Sequence, residues 1–215
     1  MKAHEHDYIP AAGHDRFLRF YDPLTRLLGA ERVRARLLDA ANVQPGERVL
    51  DLGCGTGELS LALKRRQPAA HVVGLDPDPR ALERAAAKAR AAACEIEWQP
   101  GYAGRAPFPA HSFDRVVSSL VIHHLSSEQK REAFADVRRL LRAGGEFQLL
   151  DFGPPHGGIE RGLTAVFHRG GRIGDNLSGR LPEWLRETGF EDVREVESHR
   201  TLFGRVSLYA ARAPR

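Results

Sequence analysis

Val49-Leu50-Asp51-Leu52-Gly53-Cys54-Gly55-Thr56-Gly57, followed by Glu58 and a helix-forming run to Arg66, is the stretch from which the rest of the chain can be read. Arg48 to Leu52 is a short apolar run ending at a glycine, the pattern of a buried strand, and Glu58 to Arg66 reads as the helix after it. Glycines 53, 55 and 57 let the backbone turn sharply and approach a ligand without Cβ atoms in the way. The exposed amides of the helix start favour an anionic group there. A dinucleotide fingerprint needs a third small residue one place later, where Glu58 stands, and Asp51 puts a carboxylate just before the loop. That pair would repel a pyrophosphate. It suits a zwitterion whose carboxylate meets the amides while its ammonium lies toward Asp51. Asp76 follows 25 residues after Asp51, at the end of Val72-Val73-Gly74-Leu75-Asp76-Pro77, where an acidic residue accepts hydrogen bonds from ribose hydroxyls. The plainer alternative for Asp76 is a cap on the helix that begins near Pro79.

Working outward, the same alternation repeats. His71 to Leu75, Cys94 to Gln99, Arg115 to Leu120 and Glu146 to Phe152 read as strands. Pro79 to Ala92 and Ser126 to Arg142 read as helices, the second capped by Ser126 or Ser127 and stopped by Gly144-Gly145. Strands alternating with helices mean a parallel sheet covered on both faces. After Gly153, residues 154–177 are rich in Gly, Pro, His and Arg with one apolar patch, Leu163 to Phe167, which reads as an inserted substrate-side segment. Leu181 to Thr188 is a further helix, and Asp192 to Ser198 and Thr201 to Ala211 are closing strands, so an antiparallel edge strand is expected. Residues 17–43 look helical, with a break at Asp22-Pro23. The expectation is an α/β, doubly wound, seven-stranded, mostly parallel sheet in one domain. Within it, 1–43 is an N-terminal helical segment, 44–153 a cofactor-binding core, 154–177 the insertion and 178–215 the closing helix and strands.

Composition narrows the classes. A chain of 215 residues with 42% hydrophobic and 28% charged residues has the make-up of a soluble globular domain. The net charge of +4 is dispersed, and Lys64-Arg65-Arg66 and Arg138, Arg139 and Arg142 fall at helix ends where they complement the helix dipole, so no nucleic-acid partner is expected. Two cysteines, Cys54 and Cys94, make no disulfide framework. No apolar run is long enough to span a bilayer, and Met1 to Asp7 has no signal-peptide character. A cytoplasmic protein without integral membrane association is expected. No feature of the sequence specifies an oligomeric state.

These motifs together resemble a class I S-adenosylmethionine-dependent methyltransferase, specifically the ubiquinone and menaquinone biosynthesis type that acts on small molecules. The likeness runs over residues 43–153. It is carried by Val-Leu-Asp-Leu-Gly-Cys-Gly-Thr-Gly, Val-Val-Gly-Leu-Asp, Ala-Pro-Phe-Pro-Ala-His-Ser-Phe-Asp-Arg-Val-Val-Ser-Ser and Arg-Arg-Leu-Leu-Arg-Ala-Gly-Gly-Glu-Phe, in family order. The resemblance implies a Rossmann-like fold and S-adenosyl-L-methionine as cofactor. By it, Asp51 and the loop of Gly53, Cys54, Gly55 and Gly57 line the methionine part, Asp76 holds the ribose and Pro77 lies beside the adenine. Ser119 and Leu120 lie near the methionine moiety and sulfonium. The family often has Gly-Asp-Ala after the third strand, whereas this chain has Gly101-Tyr102-Ala103, which moves the adenine contact to the tyrosine or to backbone groups. Phe17, Phe20 and Tyr21 resemble the family's N-terminal lid, although an aromatic stripe at helical spacing is more often core than cofactor cover.

Among ten histidines, His123-His124 follow Val121-Ile122 at the end of the fourth strand. Metal binding is disfavoured, since adjacent residues point apart and no carboxylate stands at ligand spacing. His123 reads as a general base facing the acceptor or as a structural histidine, and His124 as a pocket residue. His156 and His168, in the insertion, are weaker acceptor-side candidates. Phe152, Leu163, Val166 and Phe167 point to a small, partly hydrophobic acceptor. Three rival classes are a catalytically silent cofactor-binding module, a nicotinamide oxidoreductase and a nucleic-acid methyltransferase. Ser118-Ser119-Leu120-Val121 is not a base-methylation motif of the Asn-Pro-Pro-Tyr type, which weighs against the last.

Overall fold

The apolar strands alternate their side chains between two faces, and a computed structural model shows both faces filled; it describes residues 30–157, 171–201 and 204–215. In chain order the elements are α1 (Ala30–Ala41), β1 (Arg48–Leu52), α2 (Glu58–Arg66), β2 (His71–Asp76), α3 (Pro79–Ala91), β3 (Glu97–Pro100) and β4 (Phe113–Ser119). A 3-10 turn (Ile122–His124) leads to α4 (Ser127–Leu140) and β5 (Leu141–Phe152). A second 3-10 turn (Gly171–Ile173), α5 (Gly174–Leu177), α6 (Leu181–Glu187), β6 (Glu191–Thr201) and β7 (Gly204–Arg212) complete them. Phe17, Tyr21 and His168, with Phe20, Leu163, Val166 and Phe167, lie outside the described residues.

The seven strands form one sheet in the order β3-β2-β1-β4-β5-β7-β6. β1 to β5 pair in parallel, and β7 runs antiparallel to both β5 and β6, so the antiparallel pairing is confined to that edge of the doubly wound sheet. Because both faces of the sheet are covered, apolar residues stand at consecutive positions in β1 (Val49-Leu50), β2 (Val72-Val73) and β4 (Val116-Val117). Leu50, Val73, Val116 and Leu149 join Phe134 and Val137 of α4 and Trp184 of α6 in one core. Their neighbours Val49, Val72, Val117 and Leu150 join Leu37 of α1 and Leu59 and Leu63 of α2 in the other.

Several boundaries differ from the sequence reading, and the choice of cap on α4 is decided. Cys94 is not in β3, because its amide closes the end of α3 on Ala89 O at 2.9 Å and Ala93 has φ 51°. Ser126, not Ser127, caps α4, through a capping box with Gln129. That helix stops at Leu140 rather than at Arg142, since Leu141 is pulled into register with Phe113 before the ladder shifts to pair Arg115 with Glu146.

Candidate active site at the carboxyl edge of the sheet

The carboxyl ends of β1, β2, β4 and β5 meet where the strand order reverses between β1 and β4, the usual crevice of an open α/β sheet. The glycine loop leaves β1 there and is tied to β2 by Gly53 N and Cys54 N, which donate to Leu75 O at 2.8 and 3.0 Å. Gly53 has φ 75° and a Cβ on it would stand 2.5 Å from Val121 Cγ2, so only glycine lets the chain after β4 pack on the loop. Gly57, at φ 81°, starts α2 and would press a Cβ to 2.7 Å from the Trp98 ring. At the apex, a Cβ on Gly55 would meet nothing within 4 Å, so the middle of the loop faces open space. Cys54 is buried, and burial pushes its thiol well above the ordinary range, which suits packing and not redox chemistry.

Asp76, buried at the end of β2, accepts Gly55 N on Oδ2 at 2.8 Å and Asp78 N on Oδ1 at 2.9 Å. The helix cap is a different residue: Asp78 accepts Arg80 N at 2.9 Å. Asp76 is thus free of that task and holds the loop apex instead. Burial pushes its carboxyl pKa up, against the pull of the two amides. Pro77 is half-buried between these acids. Gly101 N donates to Asp76 O at 3.2 Å, which brings Gly101, Tyr102 and Ala103 beside the end of β2. Tyr102 is exposed, while Ala103 packs on the core.

Two acids behave differently from the sequence reading. Glu58 is ion-paired with Lys88 of α3 at 2.8 Å, and Lys88 also reaches Thr56 Oγ1 at 3.0 Å, so Glu58 fastens the loop and offers little free charge to a ligand. Asp51 is 1% exposed and accepts Ser60 Oγ at 2.5 Å; burial, with Asp76 nearby, pushes its carboxyl up to about 7. Since the folded state holds this proton more tightly than the unfolded chain, Asp51 supports stability at low pH and loses that support as pH rises from 3.8 through about 7. Denaturant unfolding at pH 5 and pH 8 is expected to show a larger loss for the wild type than for Asp51→Asn. Equal losses would refute the raised pKa.

At the end of β4, Ser119 pairs with Leu150, and Leu120, at φ 57°, turns the chain across the glycine loop. This carries His123 to the crevice. Its Nδ1 lies 2.8 Å from Asp151 Oδ1 of β5, its ring meets Phe152 edge-on at 4.8 Å, and its side chain is 14% exposed. The His124 ring lies 4.0 Å from that of His123, tilted by 41°, and burial first, then His123, pushes its pKa down to about 4. Sequence reasoning missed Asp151 and Asn176, which both belong here; Asn176 Nδ2 donates to Asp151 Oδ1 at 3.2 Å. The signal for Asp151 was present, an acid following Leu149-Leu150 near the end of a strand, as Asp76 ends β2. Asn176 had none. His156 stands exposed in the described part of the insertion.

Residues 49–145 match the methyltransferase domain family. A demethylmenaquinone methyltransferase of Deinococcus radiodurans is 33% identical over 195 residues, covering 79% of this chain and 80% of that protein. One from Thermus thermophilus is 40% identical over 138 residues, covering 63% of this chain and 62% of its own length. Among solved structures, a Haemonchus contortus phosphoethanolamine N-methyltransferase in complex with S-adenosyl-L-methionine superposes with a TM-score of 0.79 at 17% identity, over 95% of this chain and 58% of that one, a likeness of fold.

Proposed function

Because the chain belongs to the class I S-adenosylmethionine-dependent methyltransferases of the quinone-biosynthesis type, we propose that it methylates a demethylmenaquinone-type quinol, with His123 as the base. The residues present fit the cofactor. Gly55 faces open space at the loop apex, the amides of the α2 start are close by, and Asp76 stands where ribose hydroxyls would meet it. In this reading Asp51 and Gly53, Cys54, Gly55 and Gly57 take the methionine end. Asp76 takes the ribose, Pro77 and Gly101, Tyr102 and Ala103 the adenine, and Ser119 and Leu120 the region of the sulfonium. Bound S-adenosylmethionine supplies an already activated methyl group, so the chain's task is alignment and proton handling.

The observation that carries the base assignment is the His123–Asp151 contact at 2.8 Å, set against the glycine loop through Val121 and Gly53. His123 Nε2 takes a hydroxyl proton from the quinol, which raises electron density at the neighbouring ring carbon. That carbon forms its bond to the methyl as the sulfur–methyl bond breaks, and the electron pair stays on sulfur. The ring hydrogen then leaves as a proton while the oxygen is reprotonated, for a net release of one proton. Phe152 and the half-buried Leu120 give that end an apolar lining that suits a naphthalene ring. No helix among the described residues is long and apolar enough to cross a membrane. The same reading puts the enzyme in the cytoplasm, with residues 154–177 on the acceptor side; of the 1–43 segment expected as a lid, α1 packs in the core and the rest lies largely outside the described residues.

The test is transfer from methyl-labelled S-adenosylmethionine to chemically reduced demethylmenaquinone, read by mass spectrometry of the quinone. One added methyl is expected. Calorimetry is expected to give micromolar-class affinity for S-adenosylmethionine and its demethylated product, about 8 kcal/mol, and no heat with NAD. Binding of the cofactor without methylation of the quinol would overturn the acceptor, and binding of NAD alone would overturn the site assignment.

A further inference from the structure

We infer that Asp151 is a positioning residue that holds His123 as the Nδ1-protonated tautomer, leaving Nε2 bare to take the acceptor's proton, with Asn176 completing the clamp; the catalytic part rests on the reading of His123 as base. Asp151 has no exposed surface and collects four N–H groups. Its Oδ1 accepts His123 Nδ1 at 2.8 Å, Phe152 N at 2.7 Å and Asn176 Nδ2 at 3.2 Å, and its Oδ2 accepts His123 N at 3.3 Å. A carboxylate so supplied is stable as the anion. Burial alone would raise its pKa, but the His123 ring and these hydrogen bonds outweigh burial and hold the carboxyl below the usual range. An ionised carboxylate only accepts, so the hydrogen shared with His123 must sit on Nδ1. Neutral imidazole carries one such hydrogen, and Nε2 is therefore a lone-pair acceptor.

The clamp is built from three separate pieces of chain. β5 supplies Asp151, the turn after β4 supplies His123, and α5 supplies Asn176. The last is seated by α4, where the fully buried Lys130 binds Arg172 O and reaches Asp175 Oδ2 at 3.2 Å, while Ser127 Oγ donates to the same carboxylate oxygen at 2.7 Å. Among the described residues, Asn176 Oδ1 is buried and has no hydrogen-bond partner, an arrangement that costs free energy and that an apolar residue would avoid. Its donation to Asp151 is the compensating contact. Among the described residues, one nitrogen of His123 is gripped by Asp151 and its ring lies beside His124 and Phe152, which leaves the second nitrogen for another partner. His124, with its pKa pushed down to about 4, adds no second cation when His123 takes a proton.

Two measurements test this. In nitrogen-15 spectra of the wild-type protein with the demethylated cofactor bound, the neutral His123 ring is expected to carry its proton on Nδ1. A ring protonated on Nε2 overturns the inference, whether or not any variant folds. The second is a double-mutant cycle with reduced demethylmenaquinone as the acceptor. Asp151→Asn keeps an oxygen where three N–H groups converge, removes the charge and replaces the acceptor of His123 N with an NH2 group, so kcat is expected to fall about 10- to 100-fold with KM within a few-fold. In a His123→Ala background the same change should have no further effect beyond about twofold, because Asp151 acts through the ring. An equal loss in both backgrounds overturns the positioning role. Wild-type turnover by His123→Ala itself would instead overturn the base reading, and the ring spectrum would still decide the tautomer.

Discussion

His123→Ala is expected to lower turnover about 100-fold or more while cofactor affinity stays within a few-fold of wild type, the loss typical of a missing general base. The residue lies beyond the end of β4, and its contacts among the described residues are to Asp151, His124 and Phe152 rather than to the loop amides. His124, its nearest possible substitute, is a poor proton acceptor because burial pushes its pKa down to about 4. Single-turnover rates with methyl-labelled cofactor separate the chemical step from binding. His123→Gln, which can still donate to Asp151 but takes no proton at neutral pH, should be nearly as slow as the alanine variant. Wild-type rates in either would return His123 to a structural role.

Asp76→Ala is expected to weaken binding of S-adenosylmethionine and its demethylated product about 100-fold, roughly 3 kcal/mol. Two losses combine. In the proposed site the ribose hydroxyls lose their acceptor, and Gly55 N and Asp78 N lose the carboxylate that now holds each of them within 2.9 Å. The loop apex would then have to be ordered by the ligand itself. Asp78→Ala separates the two acids: it removes the helix cap, with a stability cost of about 1 kcal/mol, and should change affinity far less. Calorimetry alongside thermal unfolding distinguishes lost affinity from a damaged fold. Unchanged affinity in Asp76→Ala with an intact fold would remove Asp76 from the ribose site.

The charges around the loop are less fixed than their spelling suggests. A dinucleotide is disfavoured on sequence by Asp51 and Glu58, yet Glu58 is neutralised by Lys88, and Asp51 titrates at about 7. Family membership, not that electrostatic argument, sets the oxidoreductase aside.

The order of strands and helices from Arg48 to Phe152, the glycine loop and the acid closing β2 were all legible in the sequence. Each depends on contiguous residues: side-chain period, positive φ at glycine, and a polar residue ending an apolar run. What only the tertiary structure decided is pairwise and distant. Asp151 meets His123 across 28 positions, and this depends on the register that sets Ser119 beside Leu150. Asn176 reaches the same carboxylate because a buried Lys130 seats its helix. The proton on Asp51 and the pairing of Glu58 follow from burial and from packing of α2 against α3. A single side chain's residue type carries none of this, because both the energy of a buried charge and the donors it collects are set by the packing of elements far apart in the chain.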